Sequence, residues 1–209
     1  MNVQRALKRG IDIIVSTAGL VILSPVLLGV GLAVWICHGR PILFRQSRPG
    51  LGGKPFVIYK FRTMVESRDD SGAMLSDGQR LTKLGRILRA TSLDELPELY
   101  NVLLGEMSLV GPRPLLTEYV DRYTSVQARR HGMKPGMTGW AQINGRNGTT
   151  WEQRFALDLW YVENWSLTVD LDILLRTPWT VVRRAGISAP GHPTMPEFTG
   201  PKAGNGQQR

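Results

Sequence analysis

Residues 20–28 read LVILSPVLL. They lie in a segment that carries no charged side chain from Ile13 to Cys37. Whether this segment crosses a bilayer once, or enters and returns, decides on which side of a membrane the rest of the chain works. Length permits a crossing, since about 20 apolar residues cover the hydrocarbon core. The run is longer than the apolar region of a secretory signal, and no Ala-x-Ala pattern follows it. A helix in a soluble core rarely stays uncharged for so long. Pro25 changes the geometry. It has no N–H to donate and its ring clashes with the preceding turn, so a helix kinks or breaks there. The proline drives Ser24 from helical angles, and the serine hydroxyl can bond a freed backbone carbonyl, which makes the break tolerable in lipid. Each arm is then roughly 17 Å long, short of the ~30 Å that a crossing needs.

Charge gives a second argument. Arg5, Lys8 and Arg9 precede the segment, and Arg40, Arg45 and Arg48 follow it. Basic flanks stay on the cytoplasmic side. A single crossing would export one of them, whereas a re-entrant hairpin keeps both inside. The hairpin is the favoured reading, with a Pro-kinked spanning helix as the alternative.

The chain of 209 residues suffices for one domain with its own core. Its 26 Lys and Arg against 17 Asp and Glu give a net charge of +9, which suits an anionic partner: nucleic acid, acidic lipid or a phosphorylated small molecule. A solvated basic surface explains the same number. The single cysteine, Cys37, excludes an internal disulfide framework and fits a reducing compartment.

Beyond the apolar segment, PILFRQS (41–47) and KPFVIYKFRTM (54–64) alternate like strands, and the glycines between them suit a hairpin turn. Residues 65–81 are polar and loop-like. Leu81, Leu84, Ile87 and Leu88 recur at helical spacing. Ser92 and Glu95 are spaced as a capping box, which starts a helix at Ser92. Pro97 sits more easily in a first turn if Asp94 is the cap instead. Either way Asp94 and Glu95 fall at a helix N-terminus. VGPRPLL (110–116) is a rigid loop, Thr117 to Arg130 reads as helix, and residues 134–148 are Gly-rich and irregular. Trp151 to Trp165 and Leu171 to Arg184 are two further helical stretches. Their tryptophans suit a bilayer surface, or ordinary core packing. From residue 187 the chain is Pro- and Gly-rich with little apolar content, and is expected to be disordered.

Asp94 and Glu95 are adjacent acids, and acids in a first turn commonly just complement the helix dipole, worth a few tenths to about 1 kcal/mol. Their surroundings suggest more. Arg89 lies shortly upstream, Lys60 and Arg62 stand in YKFRT, and Arg113 is held between Pro112 and Pro114. Basic groups converging on an acid pair can bind phosphate oxygens. An Asp there could attack phosphorus, and a neighbouring Glu could hold Mg2+, which favours carboxylate and phosphate oxygens. The sequence has no Walker A and no G-x-G-x-x-G pattern, and its three histidines are scattered, which gives no zinc pattern.

The basic N-terminus, the apolar segment with Ser24-Pro25, FRQSRPGLGGKPFVIYKFRTM, TSLDELPELYNVLLGEMSLVGPRP and KPGMTGWAQINGRN occur in that order. Together they resemble the small monotopic bacterial phosphoglycosyl transferases, the bacterial sugar transferase family, over roughly residues 5–185. The resemblance implies an α+β, mostly helical fold. Its parts are a re-entrant membrane helix broken at Ser24-Pro25 (1–40), a catalytic domain with the β-hairpin and amphipathic interfacial helices (41–186), and a disordered tail (187–209). The chain is expected to be the catalytic unit alone. The implied reaction transfers a sugar-1-phosphate from a UDP-sugar to polyprenyl phosphate at the cytoplasmic face of the bacterial inner membrane, releasing UMP. Asp94 would be the nucleophile and hold the phosphosugar covalently, and Asp94 and Glu95 would place Mg2+. Arg89, Arg113, Lys60 and Arg62, with Pro112 and Pro114 fixing the loop, are the expected substrate contacts, and Arg146 is a further candidate for nucleotide or sugar. Membrane lipid is an expected partner, nucleic acid is not, and a homodimer is compatible. A non-catalytic membrane-anchored module for acidic lipid or nucleic acid is the alternative; it leaves the acid pair beside Pro-Arg-Pro unexplained.

Overall fold

A computed structural model describes residues 3–145, 149–182 and 197–200. Helices α1 (Val3–Ile22) and α2 (Ser24–His38) are bent by 62° about Leu23. Pro25 sits in the first turn of α2, where no intrahelical partner for its N–H is needed. Ser24 Oγ donates to the Val21 carbonyl at 2.8 Å. The break therefore falls where the Ser-Pro pair places it, and the hydroxyl takes up a freed carbonyl. Among the described residues no single helix is long and apolar enough to cross a membrane; only the bent pair taken together meets that test.

The two arms differ in kind. α2 is apolar on nearly every face, with Leu28 and Ile36 more than 70% exposed. α1 is two-sided. Ile14 and Ile22 face outward, while Asp12 and Ser16 are buried. Asp12 Oδ1 accepts from Ser108 Oγ at 3.1 Å and from the Leu109 N–H at 3.0 Å. Lys8 Nζ donates to Asp170 Oδ2 at 2.6 Å and to the Val110 carbonyl at 2.9 Å. Arg9 donates to the carbonyls of Val102 and Leu103 at 2.6 and 2.7 Å. Two of the basic residues read from sequence as a flank are thus bolts that fasten α1 to the rest of the chain.

Strands β1 (Leu43–Pro49) and β2 (Pro55–Phe61) form the expected antiparallel hairpin, with Leu43 opposite Phe61 and Pro49 opposite Pro55. The other edge of β2 is closed by a side chain. Asn101, fully buried, accepts from the Tyr59 N–H at 3.1 Å and donates to the Val57 carbonyl at 2.7 Å. Its amide thus mimics a neighbouring strand for one pair of ladder bonds.

Short helix α3 (Asp77–Arg80) lies in the 65–81 loop, and α4 (Lys83–Thr91) follows. A 3-10 turn over Leu93–Glu95 then leads to α5 (Glu98–Leu104). No α-helix starts at Ser92 or Asp94; Ser92 leads only into the 3-10 turn that carries the acids. Ser92 is instead the left-handed C-cap of α4, with φ 58°, and Pro97 is the N-cap of α5. The acid pair sits in a tight connector between two helices. Strand β3 (Ser108–Val110) pairs in parallel with β4 (Gly136–Thr138), a sheet the irregular, glycine-rich sequence did not suggest. The pairing is close: a Cβ on Gly136 would lie 2.0 Å from the Gly111 nitrogen. Thr117 to Arg130 is not one helix but 3-10 turns around α6 (Ser125–Ala128). Next come α7 (Trp140–Ile143), α8 (Trp151–Asn164) and α9 (Leu167–Val182).

The main core packs Phe56 and Ile58 of β2, Leu99 and Val102 of α5, Val110 of β3, Tyr161 of α8 and Ile173 of α9. Of the tryptophans expected at an interface, Trp179 is 58% and Trp160 39% exposed. Trp165 instead donates to Asp170, and Trp151 joins Tyr119, Phe155 and Phe198 in an aromatic cluster. Phe198 belongs to the segment expected to be a disordered tail, yet it is 3% exposed, because the rings of Tyr119, Tyr123, Trp151 and Phe155 give one side chain enough apolar surface to dock on. Residues 183–196 and 201–209 lie outside the described residues.

Candidate active site

The 3-10 turn projects Asp94 and Glu95 beside the end of β2, and the first turn of α5 adds Glu98. Asp94 is 7% and Glu98 2% exposed. Lys60, near the end of β2, reaches both glutamates: its Nζ lies 2.7 Å from Glu95 Oε1 and 2.9 Å from Glu98 Oε1. Arg113 grips Glu95 with both terminal nitrogens, Nη2 to Oε1 and, more loosely, Nη1 to Oε2 at 3.4 Å. Arg89, from the last turn of α4, donates from Nε to Thr63 Oγ1 at 3.1 Å. That approach depends on Gly85, since a Cβ there would meet the Thr63 carbonyl at 1.9 Å.

The two adjacent acids are in opposite electrostatic situations. Burial would raise the pKa of Glu95, but Arg113 and Lys60 outweigh it and hold the carboxylate well below its usual range. Burial pushes Asp94 up to about 6, the Glu95 charge adds to this, and Lys60, Arg89 and Arg113 oppose it. Among the described residues no donor bonds the Asp94 carboxylate, whereas both oxygens of Glu95 are taken. Glu98 is raised to about 7 by burial, with Lys60 opposing and Glu95 adding to the rise. Burial would lower Lys60, but Glu95 and Glu98 raise it, and Glu95 raises Arg113. Both stay charged.

The expected site residues therefore divide. Lys60, Arg89, Asp94, Glu95 and Arg113 come together, and Pro112 and Pro114 border a cleft with Arg113, Arg130 and Pro49. Arg62 does not join them. It donates to the carbonyls of His38 and Arg40, and its own carbonyl faces His38 Nδ1 at 3.0 Å, so it caps the end of α2. Strand alternation would put Lys60 and Arg62, two residues apart, on one face, but β2 ends at Phe61, and beyond it the carbonyls at the end of α2 take the Arg62 guanidinium. Arg146 lies outside the described residues.

Three contributors were not anticipated. Glu98 could have been read from LDELPE, where it falls at helical spacing from the acid pair. Asn101 joins β2 to α5 and so sets Lys60 against the acids. Arg130, 2% exposed, donates to the Arg113 carbonyl at 2.7 Å and pairs with the buried Asp158 of α8 at 2.6 Å. It anchors the backbone of the Pro-Arg-Pro loop. A lone Arg in a run of basic residues gave no sign of that role.

A carboxylate free of partners, faced by an ammonium and guanidinium groups that remain charged, is a site for phosphate-bearing substrates. Comparison with known proteins gives the family. The family described as bacterial sugar transferase matches residues 3–184, and this chain belongs to it; it is a transferase. It is 53% identical to the uncharacterized sugar transferase EpsL of Bacillus subtilis over 93% of this chain and 96% of that protein. It is 43% identical to the UDP-glucose:undecaprenyl-phosphate glucose-1-phosphate transferase of Escherichia coli over 84% of this chain but only 40% of that protein. It is 40% identical to the undecaprenyl-phosphate galactose phosphotransferase of Salmonella typhimurium, with 87% and 42% covered.

Proposed function

We propose that this chain transfers a sugar-1-phosphate from a UDP-sugar to polyprenyl phosphate, releasing UMP, by way of a covalent aspartyl intermediate on Asp94. The relatives' names support the donor and acceptor classes. The observation that carries the assignment of the nucleophile is the asymmetry of the acid pair: Glu95 is tied down by Arg113 and Lys60, and Asp94 is not.

An Asp94 oxygen attacks the sugar-linked phosphorus. A P–O bond forms to Asp94 as the bond from that phosphorus to the UMP oxygen breaks, and UMP carries away the electron pair. An oxygen of polyprenyl phosphate then attacks the same phosphorus and displaces Asp94. Lys60, Arg89 and Arg113 offset the negative charge that would otherwise repel a carboxylate from phosphate. Asp94 and Glu95 would also be the carboxylates that hold Mg2+: Asp94 is unengaged, and Glu95, both of whose oxygens are taken, would reach the ion through Oε2 by giving up its long 3.4 Å contact to Arg113. When bound, the ion would neutralise phosphate oxygens. The acceptor is a lipid, and the exposed apolar surfaces of α1 and α2 support a re-entrant seat in the cytoplasmic leaflet, with the site at headgroup level.

Radiolabelled UDP-sugar incubated without acceptor tests the covalent step. Label should remain on the denatured wild-type chain, discharge on adding polyprenyl phosphate, and be absent from Asp94→Asn. Labelling of Asp94→Asn at the wild-type level would sink the assignment.

A further inference from the structure

Beyond the acids, the Pro-Arg-Pro loop meets a second group of cations that the mechanism above does not use. Arg48 is the penultimate residue of β1, and Pro49 after it borders the same cleft as Pro112, Arg113 and Pro114. Its Nη2 donates to Gln46 Oε1, but its Nε is buried with no partner. Arg48 makes no ion pair among the described residues, although buried N–H groups of a guanidinium are costly to leave unmet. Arg154 of α8 is 7% exposed, with its guanidinium 5.6 Å from the Trp151 ring centroid. Burial first, then repulsion from Arg113, lowers both arginines to about 10, against the opposing pull of Glu98 and Glu118 on Arg48 and of Asp158 on Arg154.

We propose that Arg48 and Arg154 flank Arg113 as a second anion subsite, which takes the nucleotide phosphate of the donor while the sugar-linked phosphorus lies at Asp94. The inference rests on the donor reading above. Its geometric basis is the unmet, buried Nε of Arg48 beside the Pro-Arg-Pro loop. Three cations dominate the field at Asp94: Lys60, Arg89 and Arg113. Arg48 and Arg154 instead feel Arg113 most strongly among charged neighbours. Arg113 is thus shared between the two groups. A diphosphate spanning it would place one phosphorus at the nucleophile and leave the other to the second pair. The subsite would then serve the departing UMP, and the acceptor phosphate, which arrives after UMP has gone, would not need it.

The test is UMP and uridine binding to the full chain in nanodiscs, alongside steady-state constants for both substrates. The chains are wild type, Arg48→Gln and Arg48→Lys. Loss of a charged hydrogen-bond donor should weaken UMP binding about tenfold or more in Arg48→Gln. It should leave uridine binding unchanged, raise KM for the UDP-sugar, and leave KM for polyprenyl phosphate unchanged. UMP should raise the melting temperature of wild type more than that of Arg48→Gln. Arg48→Lys keeps the charge and should fall between. UMP affinity equal to wild type in Arg48→Gln would overturn the inference and leave the proposed function standing. A rise confined to the acceptor's KM would overturn it too, by giving the subsite to the acceptor. Failure of wild type to bind UMP at all would overturn the inference and the donor reading together.

Discussion

At the scale of single residues, the site rests on a division of labour between neighbours. Glu95 gives up both oxygens to organise Arg113 and Lys60, and Asp94 is left as a buried carboxylate without a donor. Such a group costs stability. With its pKa raised to about 6, Asp94 favours the protonated form in the folded chain. Its charge therefore opposes folding above that pH, and the cost fades as pH falls toward the ordinary carboxylate value near 3.8. Asp94→Asn should abolish transfer and yet melt higher than wild type at pH 7.5 in EDTA, by up to about 3 kcal/mol. The gain should be nearly gone at pH 4. Paired thermal melts across that range check it, and a variant less stable than wild type at every pH would contradict it. Arg62 teaches the opposite lesson. Its basic charge beside Lys60 suggested a substrate contact, but its guanidinium is spent on the carbonyls that end α2.

At the scale of elements, two devices hold β2, α4 and α5 in the arrangement that assembles the acids and bases. Asn101 supplies strand-like bonds to Val57 and Tyr59 and also donates to Glu106 Oε2 at 2.7 Å. Asn101→Ala would leave these buried groups unmet and should cost about 2–4 kcal/mol. Asn101→Asp keeps the acceptor but turns a buried oxygen onto the Glu106 carboxylate and the Val57 carbonyl, and should melt below Asn101→Ala. Denaturant unfolding checks both. The second device is the bare backbone at Gly85. Gly85→Ala pushes a methyl into the Thr63 carbonyl, so α4 must move off the segment that follows β2 and carry Arg89 with it. Overpacking of this kind costs about 1–3 kcal/mol. Because Arg89 shifts with the helix, kcat should fall more than the fraction of folded protein does, measured by comparing turnover with circular dichroism at one temperature.

At the scale of the whole molecule, the bent pair is fastened to the catalytic unit by polar contacts. Lys8, Tyr161 and Trp165 all converge on the buried Asp170, and Tyr161 also donates to the Val110 carbonyl at 3.1 Å. Lys8→Met leaves Asp170 without its counter-charge. Breaking a buried pair from one side costs about 3–5 kcal/mol, so this variant should unfold at lower denaturant and expose α1 to protease. Reach across the bilayer is a separate question. In a Cys37→Ser background, single cysteines at Asn2 and at Ser71 should both label from the cytoplasmic side only. Labelling from opposite sides would favour the kinked spanning helix over the hairpin. Pro25→Ala should straighten the bend of 62° and move the label at Asn2 toward the far side.

Much of this architecture follows from local rules that need no tertiary context. A proline in an apolar helix must break it, period-two alternation around glycines must pair as a hairpin, and acids among basic residues announce phosphate chemistry. Those rules placed the break at Ser24-Pro25 and the β1–β2 hairpin and nominated Lys60, Arg62, Arg89, Asp94, Glu95 and Arg113, but which of these residues meet was decided by the tertiary structure. Other features depend on what long-range neighbours offer. Ser92 reads as a cap at the start of a helix because its spacing to Glu95 fits one, but packing of α4 on Thr63 makes it the end of the helix before. The three-residue strands β3 and β4 have too few side chains to show a period, and their pairing depends on glycines that let two backbones touch. The separation of Arg62 from Lys60, the docking of Lys8 and Arg9, and the burial of Phe198 were decided in the same way. In each, an unmet carbonyl, carboxylate or apolar face remote in sequence claimed a side chain that its immediate neighbours left free.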